Sequence, residues 1–245
     1  MISGFTIAGL IMSFVFTLPA FAGTWSDGFE HPDLGEWKVH RQSGMLPVWK
    51  IENGFLLGDH SGFSGVWIGD DTWKNYSVEA TAILLEEHPT PADTPDSCGA
   101  GIGMYSRLAT FQGYGCSIVR RLWDGRGAGS YAEITDGWGP AIVSEHKALT
   151  VEFGRESRLR MIEEEDHIKC YLDGELVCKL KMDKRFTSGI ASMWVVNARA
   201  HLDDFIVTGD SIPDGGPGLG KAVESVGKLA TIWGDVKAEG AVAGE

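Results

Sequence analysis

The chain has 245 residues, 43% of them hydrophobic, and a formal charge of −13. That length and composition can bury a substantial core without metals or disulfides, and they are not those of a disordered chain. The acidity speaks against a nucleic-acid partner, because phosphate recognition needs a concentrated positive surface.

From Met1 to Ala22 there is no charged side chain. An apolar run from Phe5 to Leu18 ends in Pro19-Ala20-Phe21-Ala22, and the small residues at Ala20 and Ala22 fit a signal-peptidase site. Residues 1–22 are therefore expected to be a signal peptide cut before Gly23, giving a secreted or periplasmic protein. On this reading the membrane is met only through the signal peptide before cleavage. A retained anchor is the alternative, since such a run can just span a bilayer.

Residues 23–210 carry period-two alternation. Tyr76, Val78, Ala80, Ala82 and Leu84 alternate with Ser77, Glu79 and Thr81, and Leu149, Val151 and Phe153 with Thr150, Glu152 and Gly154. Further strand-like segments run from Trp49 to Leu56, Gly101 to Ser106, Gly113 to Arg121, Ser157 to Ile162, Ile190 to Val196 and Leu202 to Val207. Turn pairs such as Asn53-Gly54, Asp124-Gly125, Asp136-Gly137 and Asp173-Gly174 punctuate them. Many short strands without an intervening helical pattern predict an all-β, two-sheet antiparallel sandwich. Glu86 to Ser97, rich in proline and acid, predicts a long surface loop.

Cys98, Cys116, Cys170 and Cys178 permit two disulfides in three connectivities. None has zinc-ligand spacing. A two-residue turn at Asp173-Gly174 pairs Cys170 with Val177 and puts Cys178 on the other face. A three-residue loop sets Cys170 against Cys178, as the apolar alternation prefers. Turn chemistry is followed here, with the second register open.

Residues 211–220, Ile212-Pro-Asp-Gly-Gly-Pro-Gly-Leu-Gly220 within them, predict a flexible linker. In residues 221–245, Val223, Val226, Leu229, Ala230, Trp233 and Val236 fall at helical spacing and predict a short amphipathic helix. It is expected to dock on its own sandwich or on a protein partner.

Three stretches, taken in order, resemble the concanavalin A-like lectin/glucanase superfamily. They are Trp25-Ser-Asp-Gly-Phe29 with Leu34-Gly-Glu-Trp37; Trp49-Lys-Ile-Glu-Asn-Gly54 with Trp73-Lys-Asn-Tyr-Ser-Val78; and Ile168-Lys-Cys-Tyr-Leu-Asp-Gly174 with Ser188-Gly-Ile190 and Leu202-Asp-Asp-Phe-Ile-Val207. Within it the chain is most similar to laminin G-like modules and to a 3-keto-disaccharide hydrolase-like domain. The resemblance implies a jelly roll of two curved sheets that takes carbohydrate on the concave sheet or its rim. It also implies one structural calcium, with Asp203 on the last strand joined by Asp27 and Glu30 from the first; an Asp bonded to backbone N–H groups in a corner is the alternative.

Retaining glycosidases of that superfamily carry Glu-x-Asp-x-x-Glu on one strand, which alternation aims into one groove. This sequence has no such pattern. Glu133-Ile-Thr-Asp136 has the wrong spacing, and Glu163-Glu-Glu-Asp166 lacks alternation. Gly99-Ala-Gly-Ile-Gly103 precedes no helix and is not a nucleotide fingerprint. Sugar recognition needs flat aromatic faces beside planar polar groups. Arg120, Trp123 and Arg126, followed by Tyr131, Glu133 and Trp138, offer both, and these six are the predicted glycan contacts. Trp25, Trp37, Trp49, Trp67 and Trp194 lie in strand patterns and are expected in the core. The sequence thus predicts an exported glycan-binding or adhesion module without its own catalytic motif. A glycoside hydrolase acting on sugars, 3-keto sugars among them, is the second reading. A structural domain presenting the C-terminal helix is the third.

Overall fold

The computed structural model describes residues 22–40, 48–89, 96–107, 112–123, 129–136 and 143–218; at 96–97, 121–123, 129–136 and 143–146 it describes the backbone. The predicted signal peptide and C-terminal helix lie outside these residues. Among the described residues thirteen strands form and no helix does. They are β1 (Gly23–Asp27), β2 (Lys38–His40), β3 (Val48–Glu52), β4 (Phe55–Ile68), β5 (Tyr76–Glu87), β6 (Asp96–Ser106) and β7 (Tyr114–Trp123). β8 (Gly129–Asp136), β9 (Val143–Ala148), β10 (Glu156–Glu164), β11 (His167–Leu172), β12 (Glu175–Lys181) and β13 (Ile190–Gly209) complete the set.

All of the strand pairs are antiparallel, in the order β12-β11-β10-β5-β13-β6-β7-β8-β9. β13 organises the whole. One of its edges pairs with β6 over Ile190–Val196 and with β5 over Ala198–Gly209. The other pairs with β4 over Ala191–Leu202 and with β1 over Phe205–Gly209. The ladder slips at Asn197, where φ is +44°, and the two halves of the sheet fold over one another there. β10 then packs on β6 and β7, and β12 on β8 and β9, which gives the two layers of a sandwich.

The core between the layers follows the alternation. Val78, Ala80, Ala82, Leu159, Met161 and Ile168 from one layer meet Ala100, Ile102, Met104 and Ile118 from the other. A disulfide between Cys116 on β7 and Cys170 on β11 crosses the core, and Cys98 and Cys178 are buried and take no part in a disulfide.

Four local expectations change. The β11–β12 hairpin has the two-residue Asp173-Gly174 turn, with Leu172 opposite Glu175 and both turn residues at positive φ. A bulge then absorbs Val177, so Cys170 faces Cys178 and not Val177. Turn chemistry and apolar alternation are both satisfied, because one extra residue restores the buried face. Leu149–Phe153 is not a strand; its alternation is met by no ladder, and Phe153 is exposed. The predicted loop from Glu86 to Ser97 gives up both its ends to strands, Glu86 and Glu87 to β5 and Asp96 and Ser97 to β6. The first part of the predicted linker is pinned to the outer edge of β1. Ser26 N–H donates to the Gly215 carbonyl at 3.1 Å, Gly215 N–H to the Thr24 carbonyl at 3.0 Å, and Gly218 N–H to the Ser26 carbonyl at 2.8 Å.

Candidate functional site

The layer built from β2, β4, β13, β6 and β7 has a second apolar face, turned away from the core. Met193 and Val195 of β13 belong to the core, so alternation turns Ile190, Trp194 and Val196 the other way. There they meet Phe63 and Trp67 of β4. The Phe63 and Trp194 rings lie 5.9 Å apart. Trp194 is buried, as strand context predicted, but in a second cluster on the outer face, where Trp67 is only partly buried.

Glycine shapes this face. Trp194 has Gly65 beside it on β4 and Gly101 on β6. A Cβ at Gly101 would lie 2.6 Å from the Trp194 ring, so the indole lies across β6 only because that position is bare. Gly99, Gly101 and Gly103 repeat the omission at every second residue. The result is a closely packed strip around Trp194, which is 5% exposed, with Ser117 and Val119 at 1% and 2%. One register row crosses it through His40, Gly65, Trp194, Gly101, Ser117 and Glu133, and the row beside it runs through Phe63, Val196, Gly99, Val119 and Tyr131.

At the β4 end the strip opens into a cleft of about 440 Å³. Trp25, Trp67 and Trp73 supply its apolar walls, and Glu36, Lys38 and Asp70 its charges. Lys38 Nζ sits 4.4 Å from the centre of the Trp67 ring, a cation–π contact. Asp70 Oδ1 accepts the Thr72 hydroxyl at 2.5 Å and the Thr72 N–H at 2.7 Å. These bonds, with Lys38 nearby, hold the Asp70 carboxyl below its usual range, so it stays ionised. Trp67 belongs to both features: it packs against Trp194 on the strip and walls the cleft.

The predicted contacts distribute unevenly. Tyr131 and Glu133 take register positions opposite Val119 and Ser117, in the two rows just described. Arg120 shares the inward parity of Cys116 and Ile118, and its guanidinium stacks on Phe153 at 5.0 Å, away from the strip. The backbone of Trp123 pairs with Asp96; Arg126 and Trp138 lie outside the described residues.

Asp27 is buried at a corner. Its Oδ1 accepts the Phe29 N–H at 2.7 Å and its Oδ2 the Trp37 indole N–H at 2.9 Å, while His31 Nε2 stands 2.9 Å from both. Glu30 is exposed on the following turn. Asp203 Oδ1 accepts the Asp204 N–H at 2.8 Å. Among the described residues no three acidic, histidine or cysteine side chains gather around a common point. Both Asp27 oxygens thus have hydrogen-bond partners within the protein.

No protein-family model matches the chain, and no curated protein matches it by sequence. Solved structures do match. The carbohydrate-binding module CBM66 from Bacillus subtilis aligns with a TM-score of 0.53 at 15% identity, over 69% of this chain and 93% of its own. The endo-β-1,3-glucanase from Pyrococcus furiosus aligns at 0.54 and 12% identity, over 76% and 93%. SCLam, a non-specific endo-β-1,3(4)-glucanase of family GH16, aligns at 0.53 and 11%, over 78% and 92%. The fold is the concanavalin A-like jelly roll.

Proposed function

We propose that this chain is an exported glycan-binding protein whose ligand enters the Trp67 cleft. The observation that carries the reading is the partly exposed Trp67, whose indole walls a cleft lined with both carboxylates and a cation. Indole faces take the C–H face of a sugar ring, and carboxylates accept its hydroxyls. Solved structures of this fold include a carbohydrate-binding module and glucanases, which agrees with a carbohydrate ligand. The Cys116–Cys170 disulfide is in keeping with an oxidising compartment and so with export. Trp67 is partly exposed, so Trp67→Ala should weaken glycan binding by about 1–3 kcal/mol and leave the melting temperature nearly unchanged. A glycan array on both proteins tests this. Undiminished binding by the variant moves the site elsewhere.

The register position of Glu133, in the row of Trp194 and His40, favours glycoside hydrolysis as a second reading. Release of reducing sugar that is lost in Glu133→Gln would select it. Binding without turnover leaves the module non-catalytic.

A further inference from the structure

We infer that the cleft beside Trp67 takes uncharged sugar units and turns away acidic ones, an inference that rests on the glycan-binding reading. The cleft holds one cation, Lys38, against two carboxylates, Glu36 and Asp70. Lys38 is further committed, because its ammonium sits over the Trp67 ring and not in the open space. Asp70 is fixed by both bonds from Thr72 and cannot swing aside without breaking the turn that carries it. The surroundings do not reverse this balance. Asp71 and Lys74 on the adjoining loop offset each other in sign. Asp214, next to the Pro213 that borders the cleft, adds a further negative charge and is held by the Thr24 N–H at 2.9 Å.

A neutral hexose loses nothing in this field. Its hydroxyls can donate to Glu36 and Asp70, which have acceptor capacity, while Lys38 keeps its place over the Trp67 ring. A uronic acid or sulfated sugar brings a fixed negative charge to the same two carboxylates. Lys38 can pair with that charge only by leaving the Trp67 ring, and the site then loses the cation–π contact. The discrimination is therefore local, beyond the general repulsion of a chain at −13.

The test is affinity electrophoresis of the full-length chain through gels containing neutral glycans, laminarin and dextran among them, or polygalacturonate and alginate. Neutral polymers should retard the protein, with acidic polymers about fivefold weaker or more, the scale of one charge contact across bulk water. Glu36→Gln should narrow that gap, and so should 0.5 M salt, roughly the regime in which surface charges are screened. Glu175→Gln, an equal charge change at the exposed start of β12, should not. Equal or stronger retardation by polygalacturonate, or a gap that Glu36→Gln leaves untouched, overturns the charge selection and spares the glycan-binding reading. No retardation in any neutral or acidic gel removes that reading and the inference with it.

Discussion

The side-chain Oδ1 of Asn197 accepts the backbone N–H of Gly62 at 2.7 Å, at the point where β13 exchanges β6 for β5 as its neighbour. The Asn197 carbonyl accepts the His88 N–H at 2.9 Å, so one residue anchors the fold-over of the sheet from both its side chain and its main chain. Its φ of +44° is a conformation that asparagine tolerates and alanine resists. Asn197→Ala should cost about 2–4 kcal/mol, a lost buried acceptor plus left-handed strain. Asn197→Gly removes only the first contribution and should cost less. Urea unfolding of both variants checks the order, and equal costs would show that backbone strain plays no part.

The Asp27 corner should behave as a hydrogen-bond hub. Asp27→Ala strands the Trp37 indole N–H and the Phe29 N–H, and should cost about 2–4 kcal/mol. Because the donors are protein groups, the melting temperatures of wild type and variant should be the same in calcium and in chelator. A calcium-dependent rise in the wild type that Asp27→Ala abolishes would restore a metal to this corner.

The disulfide between Cys116 and Cys170 closes a loop of 54 residues. In the chain-entropy account such a bridge stabilises by about 4 kcal/mol, and Cys116→Ala with Cys170→Ala should lose much of it. Cys98 is buried and its thiol is pushed up to about 12. Alkylation of the native protein should therefore be slow at Cys98, and after unfolding without reductant it should label Cys98 and Cys178 alone. Label at Cys116 or Cys170 under those conditions would contradict the pairing.

His201 stacks on Phe55 at 4.8 Å, and burial lowers its imidazole to about 4, with Arg199 adding to and Glu52 opposing the effect. In the unfolded chain it returns to about 6.5. Between those values the unfolded state binds the extra proton. The stability His201 contributes is therefore whole above pH 6.5 and is lost as the pH falls towards 4, by an amount on the order of 3 kcal/mol. His40 and His60 are also lowered by burial, so the informative quantity is a difference. Unfolding free energies of wild type and His201→Gln, measured at several pH values from 7.5 to 4.5, should converge as the pH drops. Parallel curves would mean that His201 takes no part in the acid response.

The turn pairs, the inward alternation of β5 and β10 and the sandwich itself were legible in the sequence, because each rests on neighbours within a few residues. The functional face was not. β4 carries Phe63 and Trp67 on one side and Val66 and Ile68 on the other, so alternation shows two apolar faces without saying which meets the opposite layer. The usable signal was Gly99-x-Gly-x-Gly103. Three glycines on one face of a strand mark a surface across which a large ring can lie, and the partner ring is on β13, some ninety residues later.

The last strand in sequence is also the central one. β13 holds the edges of β1, β4, β5 and β6, and every one of those partners is made long before it. Until Ile190–Gly209 is available, those edges have no ladder to join, and the sandwich cannot close. Synthesis from the N-terminus therefore leaves the edges of β1, β4, β5 and β6 open until β13 follows them, and the order of the strands keeps the sheet waiting for that one segment.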